Sequence, residues 1–220
     1  MVTSTKTLPK TGKGSSTFPG PNGNGKRRDG GEFFDPKSKA NSYRIGMWVA
    51  LASISMLFTA LSSAYIVRAA SAQDWVSIAM PRVLLASTAL LLISSVALEI
   101  ARRNLKASSF GGYGTWLLVT MLLGLAFLGS QLVAWRQLAA QGVYLSSNPH
   151  SSFFYLMTAT HAVHLIGGLL LLIFLWVRSR LVKQVTVTPR RQASADAVTI
   201  YWHFMDALWI YLFLLLFLWR

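Results

Sequence analysis

Five apolar runs, each about as long as a bilayer core is thick, punctuate the chain at residues 45–67, 79–100, 115–135, 153–177 and 199–219. Roughly 20 apolar residues at ~1.5 Å rise cross the ~30 Å of hydrocarbon in a membrane. A backbone in lipid must satisfy its own hydrogen bonds, so each run predicts a helix. Together they predict an all-α integral membrane bundle of five transmembrane helices. The stretches between the runs are short and polar and leave no room for a separate soluble domain. No repeat of about 20–50 residues is evident, and the two halves do not mirror each other, which counts against an inverted-repeat transporter.

The polar residues inside these runs carry the chemistry. The last run opens TIYWHFMDALWIYLF and holds His203 and Asp206 within its first turns. Ionisable groups inside a span are costly and usually face protein. Trp202, Asp206, Trp209 and Phe213 recur at the spacing of one helix face. The fourth run, FFYLMTATHAVHLIGG, places His161 and His164 three apart on adjacent positions of one face, near mid-membrane. Gly167 and Gly168 follow and let another helix approach closely. The pair reads either as a polar seam or as neutral histidines bonded across an interface. Gln131 reads as glue between helices. Ser55, Thr59, Ser62 and Ser63 line one side of the first run as a small-residue packing face. Glu99, with Arg102 and Arg103 at i+3 and i+4, predicts an ion pair at the end of the second run.

Composition sharpens this picture. The 220 residues are 53% hydrophobic with mean hydropathy +0.45, beyond an ordinary soluble domain. The net charge of +14 would suit nucleic acid, but the basic residues sit between the apolar runs, where they orient spans. Nine precede or begin the first run, three follow the second and five follow the fourth, against four on the other side. The amino terminus is therefore expected in the cytoplasm and the carboxyl terminus outside. Trp48, Trp75, Trp135, Trp176 and Trp219 suit an aromatic belt. Residues 1–42, rich in Gly, Pro, Lys and Arg, read as a disordered basic cytoplasmic tail, and residues 43–220 as the membrane domain. The chain has no cysteine, which excludes disulfides, thiolate-bound metals and covalently attached haem. His164 and His203 differ in depth, so a bis-histidine haem is not expected.

Two of these stretches resemble subunit III of the haem–copper respiratory oxidases. FYLMTATHAVHLIGG is similar to that family's H-x-x-H-x-x-G helix, through His161, His164 and Gly167. YWHFMDALWIYLF is similar to its terminal Y-W-H-F-x-D-x-x-W signature, through Tyr201, Trp202, His203, Phe204, Asp206 and Trp209. The resemblance extends from about Tyr43 to Arg220. It implies a short, five-helix cytochrome c oxidase subunit III in the plasma membrane of a bacterium. Such a subunit holds no redox centre; haems and copper are expected in partner subunits. It packs on subunit I, beside subunit II, sustains proton uptake and turnover durability, and binds structural phospholipid. Nucleic acid is not a partner. The resemblance makes His161, His164, Arg178, Trp202, His203, Asp206 and Trp209 lipid- or partner-packing residues, with Arg178 at the place of a basic residue that reaches a lipid headgroup. Many family members have two further spans and a glutamate where this chain has Ile54, so roles of that carboxylate do not transfer. A quinol oxidase subunit and a small proton-coupled transporter are the rival readings, with a pure scaffold as a third.

Overall fold

The computed structural model describes residues 36–71, 83–181 and 189–218. They form α1 (Pro36–Ser71), α2 (Val83–Lys106), α3 (Phe110–Ala140), α4 (Pro149–Leu181) and α5 (Pro189–Leu218). All five are long and apolar enough to cross a membrane. The expected all-α bundle is therefore observed, and the chain is a multi-pass membrane protein. The tail up to residue 35, the belt residues Trp75 and Trp219, and residues 79–82 of the second run lie outside the described residues.

The helices outrun the apolar windows because backbone hydrogen bonding continues into polar flanks that hydropathy does not register. α1 begins at Pro36, so residues 36–42 are helical where the tail was expected to extend to residue 42. Proline suits a first helical turn, where its missing N–H has no intrahelical partner to lose. α4 begins at Pro149 rather than near Phe153, and the reason is visible. Asn148 Oδ1 accepts from the Ser151 N–H at 2.9 Å, while the Asn148 N–H donates to Ser151 Oγ at 3.2 Å. This reciprocal cap satisfies two otherwise orphaned donors. It seats His150 wholly inside the bundle. α2 and α3 are joined by the tight turn at residues 107–109 and share the most extensive interface.

α5 is the hub. It packs on α1, α2 and α4, and its Trp202 ring also reaches Gly124 of α3. Its buried stripe includes Trp202, Met205, Asp206, Trp209, Leu212 and Leu216, while Phe213 is only half-buried. The serine side of α1 departs from expectation. Only Ser62 is buried, whereas Thr59 and Ser63 face outward. The inward stripe is Leu51, Ile54, Phe58, Ser62 and Tyr65, because the larger apolar side chains fill the groove beside α4 and α5. Ile54 thus packs into the interior.

Candidate functional site

The polar groups of the two signature stretches converge where α5 meets α2 and α4. Trp202 is fully buried, and its indole N–H donates to Ser94 Oγ at 3.0 Å. Two turns on, the Trp209 N–H donates to Thr88 Oγ1 at 3.1 Å. Between them on the same helix, His203 Nδ1 shares a 2.6 Å hydrogen bond with Ser95 Oγ. The pairings Ser94–Trp202 and Thr88–Trp209 step in opposite directions along the two helices, the register of an antiparallel pair. On the other side, the Tyr201 hydroxyl donates to the His164 carbonyl at 2.8 Å. Four consecutive signature positions are thereby placed. Tyr201 clamps α4, Trp202 and His203 clamp α2, and half-buried Phe204 packs against the core.

Glycines make this approach possible. A Cβ at Gly124 would stand 2.9 Å from the Trp202 ring, and one at Gly168 would stand 2.9 Å from the Tyr201 ring. Both are closer than real Cβ contacts, so the rings use space that only glycine leaves. Gly168 meets the expectation of a close helix approach; Gly124 carries no sequence signal, because a lone glycine in an apolar run has many uses.

The two histidines of α4 part company. His161 is fully buried, ringed by Phe58, Phe127 and Trp209 at centroid distances of 6.5, 6.1 and 5.2 Å. Neither of its ring nitrogens has a hydrogen-bond partner. His164 is half-buried, with Nδ1 2.8 Å from the Thr160 carbonyl and its ring against Phe58. Asp206 is 4% exposed, and neither carboxyl oxygen completes a hydrogen bond, although the Ser95 hydroxyl lies near enough to act on it. The chain's own bundle thus encloses His161, Trp202, Asp206 and Trp209. Three residues apart, His161 and His164 sit about 60° from each other around the helix. That rotation turns one into the core and the other to its edge.

An unpartnered buried carboxyl costs roughly 1–3 kcal/mol. Asp206→Leu, of similar size and apolar, is therefore expected to raise the thermal dissociation temperature of the assembled protein and to leave its membrane content unchanged. Intrinsic-fluorescence melting checks this; a fall in that temperature would mean that the carboxyl holds a partner.

Gln131 is buried and its side-chain amide donates to Ser87 Oγ at 3.1 Å, the helix-to-helix bond expected of it. At the end where α2 finishes and α5 begins, Arg102 binds Glu99 through two N–H groups at 2.8 and 3.0 Å and Asp196 of α5 at 3.2 Å. The Glu99–Arg102 pair was legible; Asp196 was not, because its partner lies 94 positions away in sequence. Each of the three side chains is about a third exposed, so their contribution to stability is modest. Arg178, half-buried near the end of α4, and Arg191, buried near the start of α5, both lie close to Tyr113. The Arg191 guanidinium stands 5.0 Å from the Phe110 ring centre and 5.7 Å from that of Tyr113. Sequence reading counted Arg191 among the orienting charges and gave no sign of this burial. No group of three or more metal-ligating side chains gathers among the described residues.

With this geometry in view, comparison with known proteins is decisive. A family profile described as "Cytochrome c oxidase subunit III" matches residues 36–220. The "Probable cytochrome c oxidase subunit 3" of Nocardia farcinica (strain IFM 10152) is 31% identical over 185 residues, covering 80% of this chain and 87% of that protein. The protein of the same description from Mycobacterium tuberculosis (strain ATCC 25618 / H37Rv) is 32% identical over 180 residues, with the same coverage. The "Quinol oxidase subunit 3" of Bacillus subtilis (strain 168) is 28% identical over 174 residues, covering 77% of this chain and 83% of that protein. The hydrogen-bonded Tyr-Trp-His run of α5, the glycines beneath it and the match across all five helices agree: the chain belongs to the cytochrome c oxidase subunit III family, the subunit III of haem–copper oxidases.

Proposed function

We propose that this chain is the non-redox core subunit III of a proton-pumping cytochrome c oxidase, seated on subunit I beside subunit II in a bacterial plasma membrane. Its amino terminus is cytoplasmic and its carboxyl terminus outside, in keeping with the distribution of basic residues. Haems and copper belong to the partner subunits. The observation that carries this reading is the use made of the signature residues. The polar atoms of Tyr201, Trp202 and Trp209, and Nδ1 of His203, are spent on neighbouring helices of the same chain. Such a set braces a rigid bundle and leaves electron transfer to others. The subunit supports proton uptake and protects the catalytic subunit from inactivation during turnover, while Arg178 holds a phospholipid headgroup at the membrane boundary. His161, Trp202, Asp206 and Trp209 keep the bundle in the shape that its partners and lipid meet.

Deleting the gene and following oxygen consumption by the purified complex tests this. The expected result is near-normal initial turnover followed by progressive loss that the intact complex does not show. Turnover of unchanged durability would leave only a scaffold. A second reading, a quinol oxidase, is favoured by the likeness to the Bacillus subtilis protein. The electron donor accepted by the complex separates the two.

A further inference from the structure

We propose that Asp206 is a proton-storing site, filled and emptied from the cavity between α1, α2 and α5 through the imidazole of His203 and the hydroxyl of Ser95. The site lies wholly within this chain, so it stands apart from any proton path in a partner subunit and from the oxidase assignment. The cavity, at the end where α5 begins, has a volume of about 650 Å³ and is lined by Trp48, Glu99, Arg102, Asp196 and His203 among others. Glu99, Arg102 and Asp196 are each about a third exposed, so their charges hold water there.

A chain of exchangeable groups leads inward from that water. Ser95 is one turn deeper than Glu99 on α2, and His203 is two turns deeper than Asp196 on α5. The His203 ring lines the cavity, and its Nδ1 lies 2.6 Å from Ser95 Oγ, which leaves Nε2 for the water. Asp206 follows one turn further along α5. Both its oxygens are shut away from solvent, neither completes a hydrogen bond, and the Ser95 hydroxyl is near enough to act on it. An unpartnered buried carboxyl weakens the bundle, so its presence calls for a use other than packing. Beyond Asp206 the relay stops among the described residues. The Trp209 N–H is given to Thr88, and His161 is enclosed by Phe58, Phe127 and Trp209. A proton that reaches Asp206 must leave as it came, which makes a store and not a channel.

The proton count closes at every group. With its proton on Nδ1, His203 donates to Ser95 Oγ, and the Ser95 hydrogen is free to turn to Asp206. A hydronium ion in the cavity protonates Nε2 and becomes water. The Nδ1–H bond breaks as a new O–H bond forms on Ser95. The original Ser95 O–H bond breaks as that proton joins the Asp206 carboxylate. Hydronium and carboxylate are both neutralised, and no unpaired charge, which is costly inside a protein, stays behind. Emptying runs the same moves backwards, so the imidazole is reset without turning its ring. The charged and titratable groups facing the relay are Glu99 and Arg102 from α2 and Asp196 from α5 itself. α1 brings Met47 and Trp48 and α3 brings Gly124 and Phe127, all uncharged, while α4 brings His161 and His164.

The test is infrared spectroscopy of the purified, assembled complex through a pH titration. A protonated-carboxyl C=O band should be found that Asp206→Asn removes, and in heavy water that band should shift promptly as its proton exchanges. Ser95→Val and His203→Phe should keep the band and slow its exchange about a hundredfold, the scale of a lost proton-transfer group. Ser95→Thr, which has the shape of valine with the hydroxyl restored, should return the fast exchange, as a merely structural role for residue 95 would not. Absence of any band that Asp206→Asn removes, at every pH where the complex stays assembled, would overturn the proposal. So would slow exchange in the unsubstituted complex, equally fast exchange in Ser95→Val, or exchange that stays slow in Ser95→Thr. Oxygen consumption by the same preparations reads the oxidase assignment separately.

Discussion

Gly124→Leu should empty the membrane of assembled subunit, and even Gly124→Ala should lower its thermal dissociation temperature. The reason is a contest between two terms of known size. Glycine to alanine inside a helix ordinarily gains about 1 kcal/mol of propensity. Against that, the new methyl would stand 2.9 Å from Cη2 and 3.2 Å from Cζ2 of Trp202. Trp202 cannot retreat, because it is fully buried and its N–H is fixed to Ser94. Overpacking of a closed core costs typically about 1–3 kcal/mol, so the clash wins. Gly129→Ala is the control: nothing lies within 4 Å of its added carbon, and the propensity gain should stand alone. Trp202→Phe removes the ring edge that meets residue 124. In that background Gly124→Ala should lose most of its penalty, and the four proteins form a double-mutant cycle. Equal penalties in both backgrounds would place the strain somewhere other than this contact.

The contrast shows which parts of the molecule a sequence reader can reach. Span number and the inward face at Trp202, Asp206 and Trp209 follow from length and the 3.6-residue period, which are local properties. The Glu99–Arg102 pair is one helical turn and equally local. Ser94, Thr88 and Gly124 are different, since each gains its role from a residue that arrives much later in the chain. Serines and glycines in apolar helices have several common uses, and only tertiary contact selects among them. Asp196 and Arg191 lie before the final apolar window, in a flank that hydropathy assigns to a loop. Helix α5 runs through that flank from Pro189, which brings Asp196 to Arg102 and lays Arg191 on Phe110. The serine side of α1 misled for the opposite reason. A small-residue stripe looks like packing surface, yet the groove on α4 and α5 is wide enough for Phe58 and Tyr65, and burial of their rings outweighs close backbone approach.

His161→Lys is expected to abolish assembly, whereas His161→Leu should be tolerated and His161→Gln should fall between them. His161 has no exposed surface, three aromatic neighbours and no partner for either nitrogen. In that setting a neutral imidazole acts as a flat filler that still carries the desolvation of two polar atoms. Leucine removes that cost of roughly 1–3 kcal/mol while giving up some ring contact, so the two changes nearly offset. Glutamine keeps the cost and packs less well. Lysine brings a charge that nothing inside the cage can pair, and an unpaired buried charge costs at least several kcal/mol. A span with such a group near its centre is penalised again on insertion, by ~2.5–3.5 kcal/mol. Membrane content of the subunit, measured by immunoblot, ranks the variants, and oxygen consumption per assembled complex is read on those that survive. Leucine restoring full content and full turnover would fix His161 as a packing residue. Full content with lost turnover would instead make the imidazole part of the oxidase's working parts, and a lysine variant that assembles would show that the cage neutralises or accommodates the added charge.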